Sequence, residues 1–223
     1  MQLVRKIDEL WQEPDHGIWE VRGGPKHYTY SKVMAWVGAD RANRLKEHLR
    51  FSSQDLKVCE KLSESIMEWV WQNSYQEKKL VQHPKTKAGD ATNFLMVLLQ
   101  FLDKHERRTK EIIEDTAKEL CYQKVFVYRY LNRDGLPGEE GAFILCSFWL
   151  ISALAILEDV ELALDLFKRL EKYMTPQGLL SEEIDPESHE YLGNYPQAFS
   201  HMGYIMSAHY LHKYAKRKGI SLK

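Results

Sequence analysis

The sequence predicts an all-α chain. Apolar residues recur at intervals of three and four along most of its length. One stretch, Gly141 to Leu157, carries no charge over 17 residues. Period-two alternation is confined to Val125-Phe126-Val127-Tyr128-Arg129-Tyr130, which reads as an extended segment.

The elements follow in order. Leu3, Ile7, Leu10 and Trp11 mark a first short helix. A second starts at Ser31, turns Val33, Met34, Trp36, Val37, Ala42 and Leu45 inward, and runs to about Leu49. A third begins near Ser53, with Gln54 and Asp55 in its first turn and Leu56, Cys59, Leu62, Ile66, Trp69 and Val70 along one face. The polar stretch Asn73 to Gly89 contains Pro84 and reads as a loop or ribbon. Helices four and five are expected at about Asp90 to Leu102 and Thr109 to Leu120. Helix six, about Ala142 to Leu157, is apolar all round and must be enclosed by other helices. Helix seven, Val160 to Tyr173, is amphipathic, acidic early and basic late as the helix dipole favours, and pairs with helix six as an inner and outer hairpin. A polar loop from Thr175 to Tyr195 leads to a last helix from Pro196 to about Lys216, Pro being suited to a first turn. Eight helices result, with no linker or low-complexity segment, so residues 1–223 are expected to form a single domain.

Composition narrows the functional classes. Lys plus Arg (31) nearly balances Asp plus Glu (32), so no net field draws the chain to nucleic acid or anionic lipid. The uncharged stretch is short for a membrane span and contains Ser147 and Ser152; a buried helix is the better reading. Charges stand where a signal peptide would be apolar, and the three cysteines are widely spaced without CxxC pairing; both point to a cytoplasmic protein with reduced thiols rather than catalytic or metal-bound ones. There is no GxSxG elbow, P-loop, HExxH or GxGxxG after a strand. The histidines in the loops lack ligand spacing and read as hydrogen-bonding residues, so no metal is expected.

Three loops are richer in Gly, Trp, Glu and Arg than helix connections require. In the first, Glu20 stands between Trp19 and, two residues on, Arg22, with glycines on both sides. A carboxyl desolvated against an aromatic face is suited to general-acid work; the alternative is a structural Glu–Arg pair with Trp19 in the core. The second loop carries the adjacent carboxylates Glu182 and Glu183, a general base beside a spectator or else a solvated acidic turn. The third runs from Tyr128-Arg129-Tyr130 through Asp134 to Phe143; its Arg can bind neighbouring hydroxyls through the donor fork while the rings stack on sugar or chain. Two carboxylates in irregular loops of a helical scaffold are the minimum equipment for glycoside hydrolysis.

The segments GIWEVRGGPKHYTYSKVMAWVGADRA (Gly17 to Ala42), YRYLNRDGLPGEEGAFILCSFWL (Tyr128 to Leu150) and GLLSEEIDP with LGNYPQAFSH (Gly178 to His201) resemble the prokaryotic branch of glycoside hydrolase family 15, the glucoamylases and related trehalases. Gly89-Asp90-Ala91-Thr92 is similar to a Leu-Asp-Ala-Ser segment of that family. The resemblance implies an (α/α)6 barrel, here incomplete, and an inverting exo-hydrolase of terminal α-linked glucose (trehalose, maltooligosaccharides or starch-like chains) that needs no cofactor. It makes Glu20 the general acid and Glu182 the general base, with Glu183 the second candidate for that role. Trp19, Arg22, Arg129 and Glu183 become substrate contacts. Val21 replaces the second acidic residue of fungal members. The family's β-sandwich and earliest barrel helices have no counterpart here, so the expectation is that a complementing chain or self-association covers the exposed faces, or that the chain is the remnant of a longer gene. A noncatalytic interaction or regulatory module of the same fold, or an inactive fragment, is the alternative.

Overall fold

In the computed structural model, residues 1–131 and 140–221 are described. They fall into two compact units, residues 1–88 and residues 89–131 with 140–221. Most of the third loop, from Asn132 through Glu139, lies outside the described residues.

In the first unit, α1 (Gln2–Leu10) packs on α2 (Thr29–Arg44), and α2 packs along α4 (Ser53–Ser74). The sequence pattern marked α1 by Leu3, Ile7, Leu10 and Trp11. The structure turns Val4 inward and leaves Leu3 82% exposed. Ile7 settles against α2 where Gly38 lacks a side chain; a β-carbon there would lie 2.5 Å from Ile7 Cδ1. The predicted second helix is two: α2 ends at Arg44, and α3 (Lys46–Leu49) is a single turn closed by Arg50 in the left-handed region. Val33, Trp36, Ala39 and Ala42 hold α2 in the core, whereas Met34 and Leu45 face outward. With Leu45 outside, nothing apolar anchors a continuous helix beyond Arg44.

Helix α4 starts where the sequence placed it, on a reciprocal cap: the Asp55 backbone N–H donates to Ser52 Oγ (3.1 Å), and Ser52 N–H donates to the Asp55 carboxylate (3.2 Å). Cys59, Leu62, Ile66 and Val70, spaced by three and four, form its buried stripe. The stretch after it is a ribbon, β1 (Tyr75–Gln76) antiparallel to β2 (Lys79–Leu80).

The second unit centres on helices α5 (Thr92–Leu98), α6 (Arg107–Leu120), α7 (Ile144–Ile156), α8 (Val160–Glu171) and α9 (Ala198–Lys218). As its composition requires, α7 is enclosed, packing against α5, α8 and α9 with nearly every side chain buried. Helix α8 turns Ala163, Leu166, Phe167 and Leu170 inward. The extended segment is the strand β4 (Phe126–Val127), paired with β3 (Cys121–Tyr122).

Two boundaries differ from expectation. Ala142 and Phe143 form β5 instead of opening α7, because they pair with β6 (Glu183–Ile184), which in turn pairs with β7 (Tyr191–Leu192). Pro196 precedes α9 rather than sitting in its first turn; Gln197 is the N-cap, its side chain accepting from Phe199 N–H. Among the described residues there are nine helices against the eight expected.

Candidate active site

The loop bearing Glu20 is closed at its base by a two-residue bridge. Asp15 and Lys26 exchange backbone hydrogen bonds of 2.9 and 2.8 Å. The Asp15 carboxylate then takes the Gly17 N–H (2.7 Å) and the Ser31 hydroxyl (3.0 Å), pinning the loop to the first turn of α2. Gly17 has φ +68°, and a β-carbon on it would strike the Tyr28 ring at 2.9 Å, so only glycine fits there.

Beneath the loop, Lys32 is 2% exposed. Its ammonium donates to the carbonyls of Trp11 (2.5 Å) and Glu13 (2.7 Å), tying the chain after α1 to α2. Burial pushes its pKa below the ordinary 10.5, with Asp15 and Glu13 opposing.

At the loop tip the chain turns so that Glu20 N–H faces Gly17 O (3.4 Å) and Val21 N–H donates to His16 O (3.2 Å). Glu20 itself has φ +48°, a left-handed conformation that costs a residue with a β-carbon about 1–2 kcal/mol. Strain of this kind is retained where surrounding contacts hold it. Trp19 is half-buried, whereas Glu20 and Arg22 are exposed. Among the described residues neither Glu20 nor Arg22 joins an ion pair, so the structural Glu–Arg pair does not form. Desolvation of Glu20 against Trp19 is not seen either, because the turn carries the carboxyl outward.

The second unit gathers the other candidates at one three-stranded sheet: Glu183 lies in β6, Glu182 directly precedes it, and the Arg129 side chain reaches Glu183 from the chain after β4. The carbonyl of Glu182 accepts from Ile144 N–H (3.0 Å), and its N–H donates to Asn194 O (2.9 Å), fixing the backbone on both sides. Its carboxylate Oε2 accepts from the backbone N–H of Asn194 (2.9 Å) and from Asn194 Nδ2 (2.8 Å). Among the described residues Oε1 has no hydrogen-bond partner. Gly193, at φ +69°, clears the space; a β-carbon there would lie 2.6 Å from Glu182 Oε2. The acidic pair is thus no freely solvated turn.

Glu183 points to a different set of groups. Its side chain, 17% exposed, lies 3.6 Å from the Arg129 guanidinium. Burial raises its pKa above 4.5, opposed first by Arg129, while neighbouring Glu182 adds to the rise. Arg129 also pairs with Glu140, and its guanidinium lies 5.2 Å from the centre of the Phe143 ring and 5.8 Å from that of Tyr130. Tyr130 is buried, so it packs against the core and offers no face to a sugar. Nearby, buried Asp90 caps its own turn, accepting from Thr92 N–H (2.9 Å) and Thr92 Oγ1 (2.7 Å).

The structure therefore joins Arg129 with Glu183 on the sheet that carries Glu182, and places Glu20, Trp19 and Arg22 on the loop of the other unit. Reading the loops as blocks did not single out Glu140, Gly193 and Asn194. Gly193-Asn194 is a turn dipeptide, and that signal marks the bend that reaches Glu182. Among the described residues no group of acidic, His or Cys side chains could hold a metal ion, and no helix is long and apolar enough to cross a membrane. A cavity of about 460 Å³ between α1 and α4 and a groove of about 370 Å³ along α6, α7 and α8 contain none of these candidates.

This fold is shared with solved helical glycosidases. A structure described as "Glycosidase Wild Type" superposes with TM-score 0.78 at 20% identity, over 92% of this chain and 57% of that one. A bacterial glucoamylase solved with acarbose gives 0.70 at 14% identity (99% and 37%), and the Hormoconis resinae glucoamylase 0.73 at 12% (95% and 47%). The fold class is that of the glucoamylase-like (α/α)6 barrels. The sequence profile of glycosyl hydrolases family 15 matches residues 1–209, and the chain belongs to that family. Curated relatives include trehalases of Mycobacterium tuberculosis (39% identical; 91% of this chain, 31% of the relative) and Thermoplasma volcanium (34% identical; 93% and 33%). The chain spans about a third of the length of these relatives.

Proposed function

We propose that this chain takes part in hydrolysing a terminal α-glucosidic bond with inversion, and that trehalose is its first substrate to test. The observation that carries the reading is the fixed Glu182 carboxylate, with Oε2 held twice by Asn194 and Oε1 left unbonded. A general base needs this: an orientation set by one oxygen and a free lone pair on the other for water. In the proposed step Glu182 takes a proton from water as its oxygen attacks the anomeric carbon. Glu20 gives its proton to the departing glycosidic oxygen, so one bond forms, one breaks and charge is conserved.

Glu183 is less suited to the base role, since Arg129 and the Gly141 N–H already engage its carboxylate. It and Arg129, with Trp19 and Arg22, are the proposed sugar contacts. Relatives named trehalase support trehalose over longer glucans. The direct experiment is glucose release from trehalose, maltose and maltotriose by the purified chain. Release that drops at least a hundredfold in both Glu20→Gln and Glu182→Gln is expected. Absence of release from all three sugars defeats the hydrolytic reading for the chain by itself.

A second reading is a binding or regulatory module of the same fold. It is favoured by the exposed Glu20, which joins no ion pair among the described residues. Binding of a glucose analogue without turnover would select it.

A further inference from the structure

We infer that the exposed pair Tyr191 and Tyr195 is a carbohydrate-contact surface beside Glu182, receiving the apolar face of an α-glucosyl ring. This rests on the proposed glycosidase reading of that site. Tyr191 opens β7, the partner strand of β6, and Tyr195 follows four residues later; in a straight strand such residues stand about 13 Å apart. Here the chain turns at Gly193, and the two rings stack, centroids 5.5 Å apart and planes 18° from parallel. Yet the stack is not core: the residues are 40% and 48% exposed. The Phe167–Tyr204 stack, by contrast, joins a buried phenylalanine to a half-buried tyrosine under α7.

Several contacts keep the surface in place without covering it. The Tyr191 hydroxyl donates to Tyr173 O (2.9 Å), and its backbone is paired with Ile184. Among the described residues the Tyr195 hydroxyl has no hydrogen-bond partner, leaving it available to a sugar hydroxyl. Both flanks of the bend lead to the carboxylate: Gly193 between the tyrosines abuts Glu182 Oε2, and Asn194, directly before Tyr195, donates two hydrogen bonds to it. A ring face carries negative charge density, and the axial C–H bonds of a pyranose present the complementary positive edge. A surface already ordered binds without the entropy of ordering it. The ring received is either the terminal glucosyl unit next to Glu182 or the following unit of an oligosaccharide, which share this chemistry.

Ligand-observed NMR titration of the purified chain with 1-deoxynojirimycin, a single-ring glucose mimic, and with maltotriose tests the inference. Tyr195→Ala should weaken binding about fivefold or more, and Tyr195→Phe, which keeps the ring, should retain most of it. Weakening of both ligands assigns the terminal ring, and weakening of maltotriose alone assigns the next one. Tyr191→Phe removes the Tyr173 bond but not the stack and separates anchoring from contact. Binding that Glu182→Gln diminishes but Tyr195→Ala leaves unchanged overturns the carbohydrate-contact assignment while sparing the glycosidase reading. Binding that depends on Tyr195 but not on Glu182 does the reverse, and no binding of either sugar overturns both.

Discussion

Gly193 and Glu182 occupy the same space: the missing β-carbon of the glycine would lie 2.6 Å from the carboxylate oxygen that Asn194 holds. Gly193→Ala should therefore displace the carboxylate and strain a backbone at φ +69°. The expected result is a fall in kcat for trehalose of at least tenfold with the fold intact by circular dichroism. Asn194→Ala, which removes one of the two bonds to Oε2, should give a smaller loss. Equal activity in the glycine variant would show that Glu182 is not positioned by this bend.

The proposed inversion gives a stereochemical prediction. Trehalose should release β-glucose from the attacked ring and α-glucose from the departing ring in equal amounts, and maltose should release the β-anomer from its non-reducing ring, seen by proton NMR before mutarotation. α-Glucose alone from trehalose would mean retention through a covalent intermediate and a different role for Glu182.

The Arg129 cluster predicts a pH dependence. Glu183, its pKa raised by burial, holds its proton more tightly folded than unfolded. Its contribution to stability is complete below 4.5 and is lost as pH rises through the raised value. Urea midpoints measured from pH 4 to 7 should decline over that window, and Glu183→Gln should remove this part of the slope. Arg129→Ala, which leaves the Glu140 and Glu183 carboxylates without their shared cation, should lower stability by about 2–3 kcal/mol at neutral pH.

Lys32 acts with the opposite sign. Between its lowered folded value and 10.5 the unfolded chain binds more protons, so stability rises with pH there. Lys32→Met strips the donors from Trp11 O and Glu13 O and should cost about 2 kcal/mol in denaturant unfolding.

The thiols should be inert in the native chain. Burial raises Cys121 to about 11 and Cys146 well above 9.0, and Cys59 is also raised by its burial. A thiol-disulfide reagent at pH 7.5 should modify all three cysteines only after denaturation. Rapid native labelling of Cys146 would contradict its burial within α7.

What a reader could obtain from residues alone was whatever depends on local spacing. Helix α7 is legible because Ile144 to Ile156 is apolar on every side, and α4 because Gln54 and Asp55 stand in a first turn after Ser53, ahead of the apolar face from Leu56 to Val70. The block around Ser181-Glu182-Glu183 was legible through its resemblance to a family, and the family membership follows from the profile match. The break after Arg44 was not, since Leu45 and Lys46 are good helix formers and only the outward turn of Leu45 removes its anchor. Nor were the two-residue strands β5, β6 and β7, which have no periodicity of their own and exist only through pairing, Ala142 and Phe143 with Ile184 and Glu183 far along the chain, and these in turn with Tyr191 and Leu192.

The same division runs through the candidate site. Sequence determined which carboxylates are available, Glu20, Glu182 and Glu183, because residue type and neighbours are local properties. Tertiary structure decided how they differ. Glu182 is held by Asn194 across a hairpin, Glu183 is turned to an Arg129 that Glu140 also holds, and Glu20 is carried outward on a left-handed turn. Two adjacent glutamates are chemically identical until the chain folds; hydrogen-bond donors and burial, supplied by other segments, make one a carboxylate held by Asn194 and the other a buried partner of an arginine.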